Sequence, residues 1–537
     1  MLHFFDWIVI VLYFILIFIV AFWSSFKKKD SNKTSADYFL AGRNIGWFVI
    51  GASLFASNIG SEHLVGLAGS GAAGGVAVGQ FEILASLILL ALGWLFVPFY
   101  LKSGVFTMPE FLEKRYSAGA RWYLALISIV GYVLTKISVT IAAGGIVFVS
   151  LMGIEFWTGA LIVVIITGIY TVFGGLRAVL YTDLAQMFIL IGGSIIVTVI
   201  GLVAIGGPLE LYRTASPAFF NLWKPMHDAN YPWTGIIFGA PILGVWYWCT
   251  DQFIVQRVLS GKNIDNSRRG TIWAGYLKLL PLFIFVVPGI IAFSLAKKGI
   301  LTLDSPDHAL PTLIGVLLPV GLKGIVVAGL LAALMSSLSS VFNSCSTLIT
   351  WDIYRKIHPQ ASEKQLVWVG RMATIVLVAF GLMWIPMMKL ISGQIYQYLQ
   401  SVQAYISPPI AAIFLLGVLS KRVNAPGAIS ALGVGFILGI TRLALELYKD
   451  SLHGFWFQYA DINFLHFALL LFVICSTVMV MVSMFTKPPS DRHVAELTIF
   501  TTKQEKIIGN RSWLRIDLIL SLLLLVFVAL VWISFRG

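Results

Sequence analysis

Seven ionisable side chains fall inside long apolar stretches: Glu62, Glu82, Lys136, Asp183, Asp251, Lys278 and Arg442. At the centre of a membrane helix such groups cost a few kcal/mol each, so each needs a partner or a function. Glu82 and Lys278, taken with Asn58, His63 and Gln400, form a mixed set of hydrogen-bond donors and acceptors. That set suits a neutral polyhydroxylated solute better than an amino acid, whose charged ends want matched countercharges. Phe81, Tyr247, Trp248 and Tyr396 stand beside these polar groups in sequence. Aromatic faces cover the C–H face of a sugar ring and close a site to water. The bland alternative is an aromatic packing layer around one buried Glu–Lys pair.

A second group is rich in hydroxyls. Ser336-Ser337-Leu338-Ser339-Ser340 follows Ala332-Ala333-Leu334-Met335 in a long apolar span. Serine hydroxyls are hard oxygen ligands, and an unwound stretch such as 56–59 supplies backbone carbonyls, so a small alkali cation fits. Ser336 shares a helical face with Ser339 and Ser340. Asp183, in Tyr181-Thr182-Asp183, offers a carboxylate to a second cation. Close helix packing by small residues is the competing explanation for the serines.

These residues must be held by membrane-spanning helices. The chain has 537 residues, 58% hydrophobic and 11% charged, with a mean hydropathy of +0.90, far from the roughly quarter-charged mix of a soluble domain. About fourteen apolar stretches, each near the 20 residues that cross a bilayer, recur from end to end. The second carries the polar run Ser57-Asn58-Ile59-Gly60-Ser61-Glu62-His63, and the seventh carries Gly239-Ala240-Pro241 and Gly244 before Trp246-Tyr247-Trp248. Proline and glycine loosen a helix, so both spans are expected to break near the midplane. Two broken spans five apart are what an inverted repeat of five plus five helices produces, with the binding site between the repeats.

The net charge of +13 does not point to nucleic acid, because the basic residues are scattered through alternate loops. Roughly 26 of the 37 Lys and Arg fall on one side and about 8 on the other, which makes the first side cytoplasmic and places both termini outside. Arg115, Arg121, Arg257, Arg268 and Arg269 are counted with the cytoplasmic loops. The first span has no small-residue cleavage site and is expected to be a retained helix. Cys249, Cys345 and Cys475 all lie in apolar spans, so free buried thiols are expected. Asn32-Lys33-Thr34 and Asn510-Arg511-Ser512 match the glycosylation pattern, but on the face where that chemistry does not occur. There is no phosphate-binding G-x-x-x-x-G-K-[ST] run, H-E-x-x-H motif or paired-cysteine metal site. An enzyme is therefore not expected, and an ion gradient must drive any uphill transport. Two Na+ per solute would gain about 4.6 kcal/mol from 100 mV, enough for roughly a thousandfold accumulation.

At this level of detail the chain resembles the solute:sodium symporters, and within them the sodium/glucose and sodium/myo-inositol cotransporters, over nearly its whole length. The resemblance is carried by Ala56 to His63 running on to Gly66-Leu67-Ala68-Gly69-Ser70-Gly71, by Thr107-Met108-Pro109-Glu110-Phe111, and by Gly174-Gly175 leading to Tyr181-Thr182-Asp183. Further matches are Trp246 to Gln252, Gly275-Tyr276-Leu277-Lys278, Ser336-Ser337 with Phe342-Asn343-Ser344, and Pro408-Pro409-Ile410-Ala411-Ala412. It implies an all-α polytopic protein with a LeuT-type five-plus-five inverted repeat and peripheral helices, working by alternating access. The repeats would run 45–206 and 207–420, flanked by 1–44 and 421–537, in one membrane transport domain.

The resemblance also implies roles. Asn58, His63, Glu82, Tyr247, Trp248, Lys278 and Gln400 would bind sugar, with Tyr247 as the inner gate and Phe81 and Tyr396 toward the outer one. The main Na+ site would use carbonyls of Ala56, Ile59 and Ala333 with the hydroxyls of Ser336 and Ser337. A second Na+ site would use Asp183, Ser336, Ser339 and Ser340. Gly244 stands where sugar-transporting relatives often have a polar side chain, Gln397 where some have a carboxylate, and Glu62 resembles the inositol carriers. The expected function is sodium-coupled symport of a hexose such as glucose or galactose in a plasma or bacterial inner membrane. The partners are Na+, the sugar and the lipid bilayer, with no nucleic acid and no obligatory protein partner. Myo-inositol is the alternative solute. A sugar-gated sensor or leak channel is the alternative of another class.

Overall fold

The computed structural model describes residues 2–26, 35–388, 395–501 and 511–536. Lys27, Lys28, Lys29, Lys33, Asn32-Lys33-Thr34 and Asn510 lie outside the described residues. Among the described residues the chain is helical, with only isolated β-bridges. Among the described residues, eleven helices are long and apolar enough to cross a membrane. The difference from about fourteen apolar stretches lies in the interrupted ones: Trp47–Asn58 and Phe156–Val172 are shorter apolar helices, and the stretch after Pro232 is divided into several pieces.

The helices that bear on function are numbered here in chain order: α1 (Phe4–Phe26), α2 (Trp47–Asn58), α3 (Ser61–Gly74), α4 (Gln80–Ala91), α5 (Met108–Arg115), α6 (Ala118–Gly131), α7 (Phe156–Ile205), α8 (Gln252–Leu259), α9 (Ile264–Leu277), α10 (Leu322–Thr347) and α11 (Ile395–Leu419). Burial ranks them. The most apolar window of Leu322–Ile357 is 94% buried, whereas that of the last span, Trp513–Ser534, is 22% buried. The serine-bearing α10 is thus the central post, and the outer helices turn residues such as Phe4, Val203 and Phe485 outward, as hydrocarbon permits. Long α7 is two helices meeting at Gly175, whose φ of 60° and ψ of −163° suit glycine alone.

The first expected break is present. Helix α2 ends at Asn58, Ile59 and Gly60 take non-helical ψ of 82° and 179°, and α3 restarts at Ser61. A Cβ on Gly60 would lie 2.1 Å from the Glu62 carboxylate, which would have to shift to admit it. The second break is displaced from the expected position. Gly239 stays helical (φ −91°, ψ −50°) and donates to Gly235, while Pro241 sits in the first turn of the following helix, where a missing N–H costs nothing. The discontinuity falls instead at Asp251, which is extended (φ −74°, ψ 127°) and caps α8 by accepting from the Phe253 N–H.

Several basic residues assigned to cytoplasmic loops are buried. Arg115 donates to the carbonyls of Gly417, Ser420 and Val423, satisfying the open end of α11. Arg121 pairs with Asp352 at 2.7 Å and with Glu113 at 2.5 Å. Arg268 and Arg269 are also buried, and Arg269 pairs with Asp517. Arg257 has no exposed surface at all and points into the protein. Arg442 serves the periphery, holding the carbonyls of Tyr459 and Ile462 and pairing with Glu446 at 3.0 Å. The three cysteines are free and buried.

Candidate functional site

The gap between α2 and α3 releases backbone groups that a continuous helix would consume. In a helix the Gly60 N–H would bond Ala56 and the His63 N–H would bond Ile59. Here Gly60 donates to Asn58 and His63 donates to Gly60. The carbonyls of Ala56 and Ile59 are therefore released from helical pairing at the level where α10 passes. Ser337 on α10 crosses to this gap and donates to the Ser57 carbonyl at 3.0 Å. Ala333 lies one turn earlier on the same continuous, buried helix. A hydroxyl is thus brought to a gap with released carbonyls, the oxygen chemistry that an alkali-cation site uses.

Ser336 turns to a different partner. Its hydroxyl donates to Asp183 Oδ1 at 2.5 Å, and the other carboxylate oxygen accepts from Ser53 at 2.5 Å. Ser339 donates to the Ser336 carbonyl at 3.0 Å, and Ser340 accepts from Arg257. Asp183, Ser336, Ser339 and Ser340 therefore form one buried cluster on α7 and α10, next to the gap that Ser337 faces. Ser53 and Arg257 complete it and were not expected from the sequence. Ser53 looks like packing in an apolar run. Arg257 ends a hydrophobic stretch, where a basic residue reads as a topology signal.

The sugar-type residues converge on one small cavity of ≈ 50 Å³ beside α2 to α4, α11 and the segment before Asp251. Asn58, His63, Glu82, Tyr247, Trp248 and Gln400 line it, and so do Phe81 and Tyr396. Lys278 stands behind them and bonds both Glu82 and the Asn58 side-chain oxygen. The Asn58 amide donates to the Tyr247 hydroxyl at 2.8 Å. His63 Nε2 lies 4.0 Å from Glu82, and its Nδ1 lies 3.5 Å from Glu62 without a hydrogen bond. Asn58, Glu82, Lys278 and Tyr247 bond one another while His63 Nδ1 is left without a hydrogen-bond partner, and the space is large enough for only a few waters, well below the ~300 Å³ of a typical ligand pocket. The cavity is narrowed by a hydrogen-bond network among its own lining groups.

Aromatic rings flank the cavity on two sides. On one side Tyr396 meets His63 edge-on at 5.7 Å and Phe81 at 6.1 Å, and Phe81 stacks on Phe464 at 6.4 Å. On the other side Tyr247 packs against Trp248 at 5.0 Å. Beneath Tyr247 the Lys136 ammonium stands 3.8 Å from the ring centroid and 4.3 Å from that of Phe253, a desolvated cation–π arrangement. Lys136 and Gln403 also line the cavity and were not assigned to it from the sequence. Gln403 follows Gln400 by three positions on one helical face, a legible signal. Lys136 had no neighbour in sequence to mark it.

The departures from the family pattern separate here. Gly244 lines the cavity, and a Cβ there would lie 2.0 Å from Ile88. Gln397 is turned to Asn230, donating at 3.1 Å. Glu62 accepts from Thr140 at 2.9 Å and backs His63 from outside the cavity lining.

Known proteins resemble this chain over most of its length. Residues 38–435 match the model of the sodium:solute symporter family. The mouse sodium/glucose cotransporter 4 is 41% identical over 93% of this chain and 78% of its own length. The sheep sodium/glucose cotransporter 1 is 41% identical over 94% and 82%, and the dog sodium/myo-inositol cotransporter is 40% identical over 93% and 76%. Among solved structures, a substrate-bound outward-open Na+-coupled sialic acid symporter superposes with a TM-score of 0.79 at 22% identity, covering 91% of this chain and 99% of the other. The fold is thus of the LeuT type.

Proposed function

The chain belongs to the sodium:solute symporter family, and on that premise we propose that it is a sodium-driven symporter of a hexose of the glucose or galactose class. It works by alternating access and moves two Na+ with each sugar. The observation that carries this reading is the joining of two chemistries across one broken helix. Asn58, at the end of α2, belongs to the hydrogen-bond network of the cavity, and the same break frees the carbonyls of Ala56 and Ile59 from helical pairing where Ser337 reaches the Ser57 carbonyl. Ordering this turn around Na+ therefore also orders the sugar-binding amide.

Sugar hydroxyls replace the bonds that Asn58, Glu82, Lys278 and Tyr247 make with one another, while Gln400 and His63 bind from the opposite wall. Tyr247 and Trp248 form the inner closure, and Phe81 and Tyr396 the outer one. The main Na+ is held by Ala56, Ile59, Ala333, Ser336 and Ser337. The second is held by Asp183, Ser336, Ser339 and Ser340. In the membrane the repeats are 45–206 and 207–420, and both termini face outward. Relatives named for sodium/glucose and sodium/myo-inositol cotransport support the solute class.

The test is uptake of radiolabelled glucose, galactose and myo-inositol into proteoliposomes with an inward Na+ gradient, with K+ replacing Na+ as the control. Concentrative, Na+-dependent uptake of a hexose is expected. Accumulation of myo-inositol alone would keep the mechanism and overturn the solute. Sugar binding without accumulation would place the protein with sensors or leak channels.

A further inference from the structure

Arg257 is fully buried on α8, the short helix that begins at the Asp251 break. Its guanidinium reaches the oxygens assigned above to the second Na+. Nη2 lies 3.6 Å from Asp183 Oδ2 and donates to the Ser340 hydroxyl. Nε donates at 2.9 Å to Ser53, which in turn donates to the same Asp183 oxygen. Nη1 is tied back to the Phe253 carbonyl on its own helix. A Na+ ion needs the lone pairs of Asp183 and Ser340 that now face the guanidinium. One carboxylate balances one buried cation; a second cation beside it would be uncompensated in a low-dielectric interior.

The contacts also join moving parts. Asp183 and Ser340 sit on the long helices α7 and α10, whereas Arg257 sits on an arm hinged at extended Asp251. Gln256 beside it donates to the Thr347 hydroxyl on α10 at 2.9 Å and to the Phe39 carbonyl. Docking of α8 is thus fastened partly by Gln256 and partly, through Arg257, by the oxygens assigned to the second ion.

We propose that Arg257 is a tethered cation that exchanges with the second Na+ at Asp183 and Ser340, tightening the docking of α8 on α7 and α10 while the guanidinium holds these oxygens. Na+ arriving at Asp183 releases the arm. When Na+ leaves, Arg257 recaptures the carboxylate, so the ion-free carrier returns without an unpaired buried charge. The inference rests on the proposed second Na+ site.

The experiment measures Arg257→Gln and Arg257→Lys in proteoliposomes for two quantities: the half-saturating Na+ of sugar exchange, and the ratio of net uptake to exchange. Exchange does not require the ion-free return, so a tethered cation acts on the two rates differently. Arg257→Gln is expected to lower half-saturating Na+ about twofold or more, the gain when the latched form holds at least half of the carriers. It is also expected to depress net uptake while exchange persists, with Arg257→Lys intermediate. If Arg257→Gln does not fold, Ser53→Ala loosens the guanidinium while keeping both charges and must shift half-saturating Na+ in the same direction. An unchanged or raised Na+ requirement overturns the proposal. The Na+ to sugar flux ratio of the parent and of Asp183→Asn separates the two claims. A parent ratio of one, unchanged in Asp183→Asn, removes the second site itself. A fall from two to one, with Arg257→Gln unaltered, removes only the tethered cation.

Discussion

Replacing Lys278 with methionine separates the two roles that the structure gives this residue. Lys278 and Glu82 are 1% and 3% exposed, and the ammonium bonds both Glu82 and Asn58. Lys278→Met keeps the aliphatic stem but leaves a carboxylate buried without its partner, which costs about 3–5 kcal/mol of stability. If the ammonium also donates to a sugar hydroxyl, losing that charge-assisted bond costs about 1.5–3 kcal/mol more of binding, or a rise of about 10- to 150-fold in half-saturating sugar. Glu82→Gln combined with Lys278→Met removes both charges. It should recover much of the stability and none of the sugar affinity. The assay is the sugar dependence of Na+-driven uptake, with thermal unfolding in detergent measured in parallel. A single variant whose unfolding temperature falls while half-saturating sugar stays within about twofold of the parent would reduce the pair to a structural one and refute the reasoning.

Gln400→Ala removes a neutral hydrogen-bonding group from the cavity wall and should weaken sugar binding by about two- to tenfold, read from the same uptake curves with Na+ dependence unchanged. Ser337→Ala deletes the hydroxyl facing the α2–α3 gap and should raise half-saturating Na+ roughly tenfold, equivalent to about 1.4 kcal/mol; an unaltered Na+ curve would count against the main ion site. Asp183→Asn should reduce the coupled flux from two Na+ per sugar to one, measured by dual-isotope uptake, and an unchanged ratio would leave Asp183 a structural role only. Burial raises the Glu113 carboxyl, but hydrogen bonds and charge from Lys356 and Arg121 outweigh it and hold the group below its ordinary value. Its contribution is therefore present above the unfolded-state value of about 4.3 and is lost as pH falls through the lowered folded-state value. Thermal unfolding should show Glu113→Gln less stable than the parent near pH 6 and the gap closing on acidification; a gap independent of pH would contradict the assignment.

The α2–α3 break and the cavity residues are legible in the sequence because their signals are local. A polar run inside an apolar span has few explanations in hydrocarbon, and Ser57 to His63 supplies both the break and two cavity side chains. The second break was misplaced because Gly239 and Pro241 read as helix breakers, although a proline in a first turn is tolerated. The working signal was Asp251, an N-cap before the amphipathic stretch 252–259. Arg257 was missed for a different reason. Its partners Asp183 and Ser340 lie 74 and 83 positions away, so nothing local distinguishes a buried latch from a loop arginine. The same holds for Arg115 and Arg121, whose partners are carbonyls and carboxylates on distant helices. Lys136 became visible only once Tyr247 and Phe253 were placed around it.

The central claim is that two Na+ drive one sugar, and a single flux direction tests it. Proteoliposomes at zero membrane potential carry an about tenfold inward Na+ gradient and about thirtyfold more of the transported hexose inside than outside. Coupling to one Na+ can sustain at most an about tenfold sugar ratio, and coupling to two an about hundredfold one, since each tenfold gradient contributes about 1.4 kcal/mol. The account predicts net sugar entry against the thirtyfold ratio. Net exit, or no sugar movement, would contradict it.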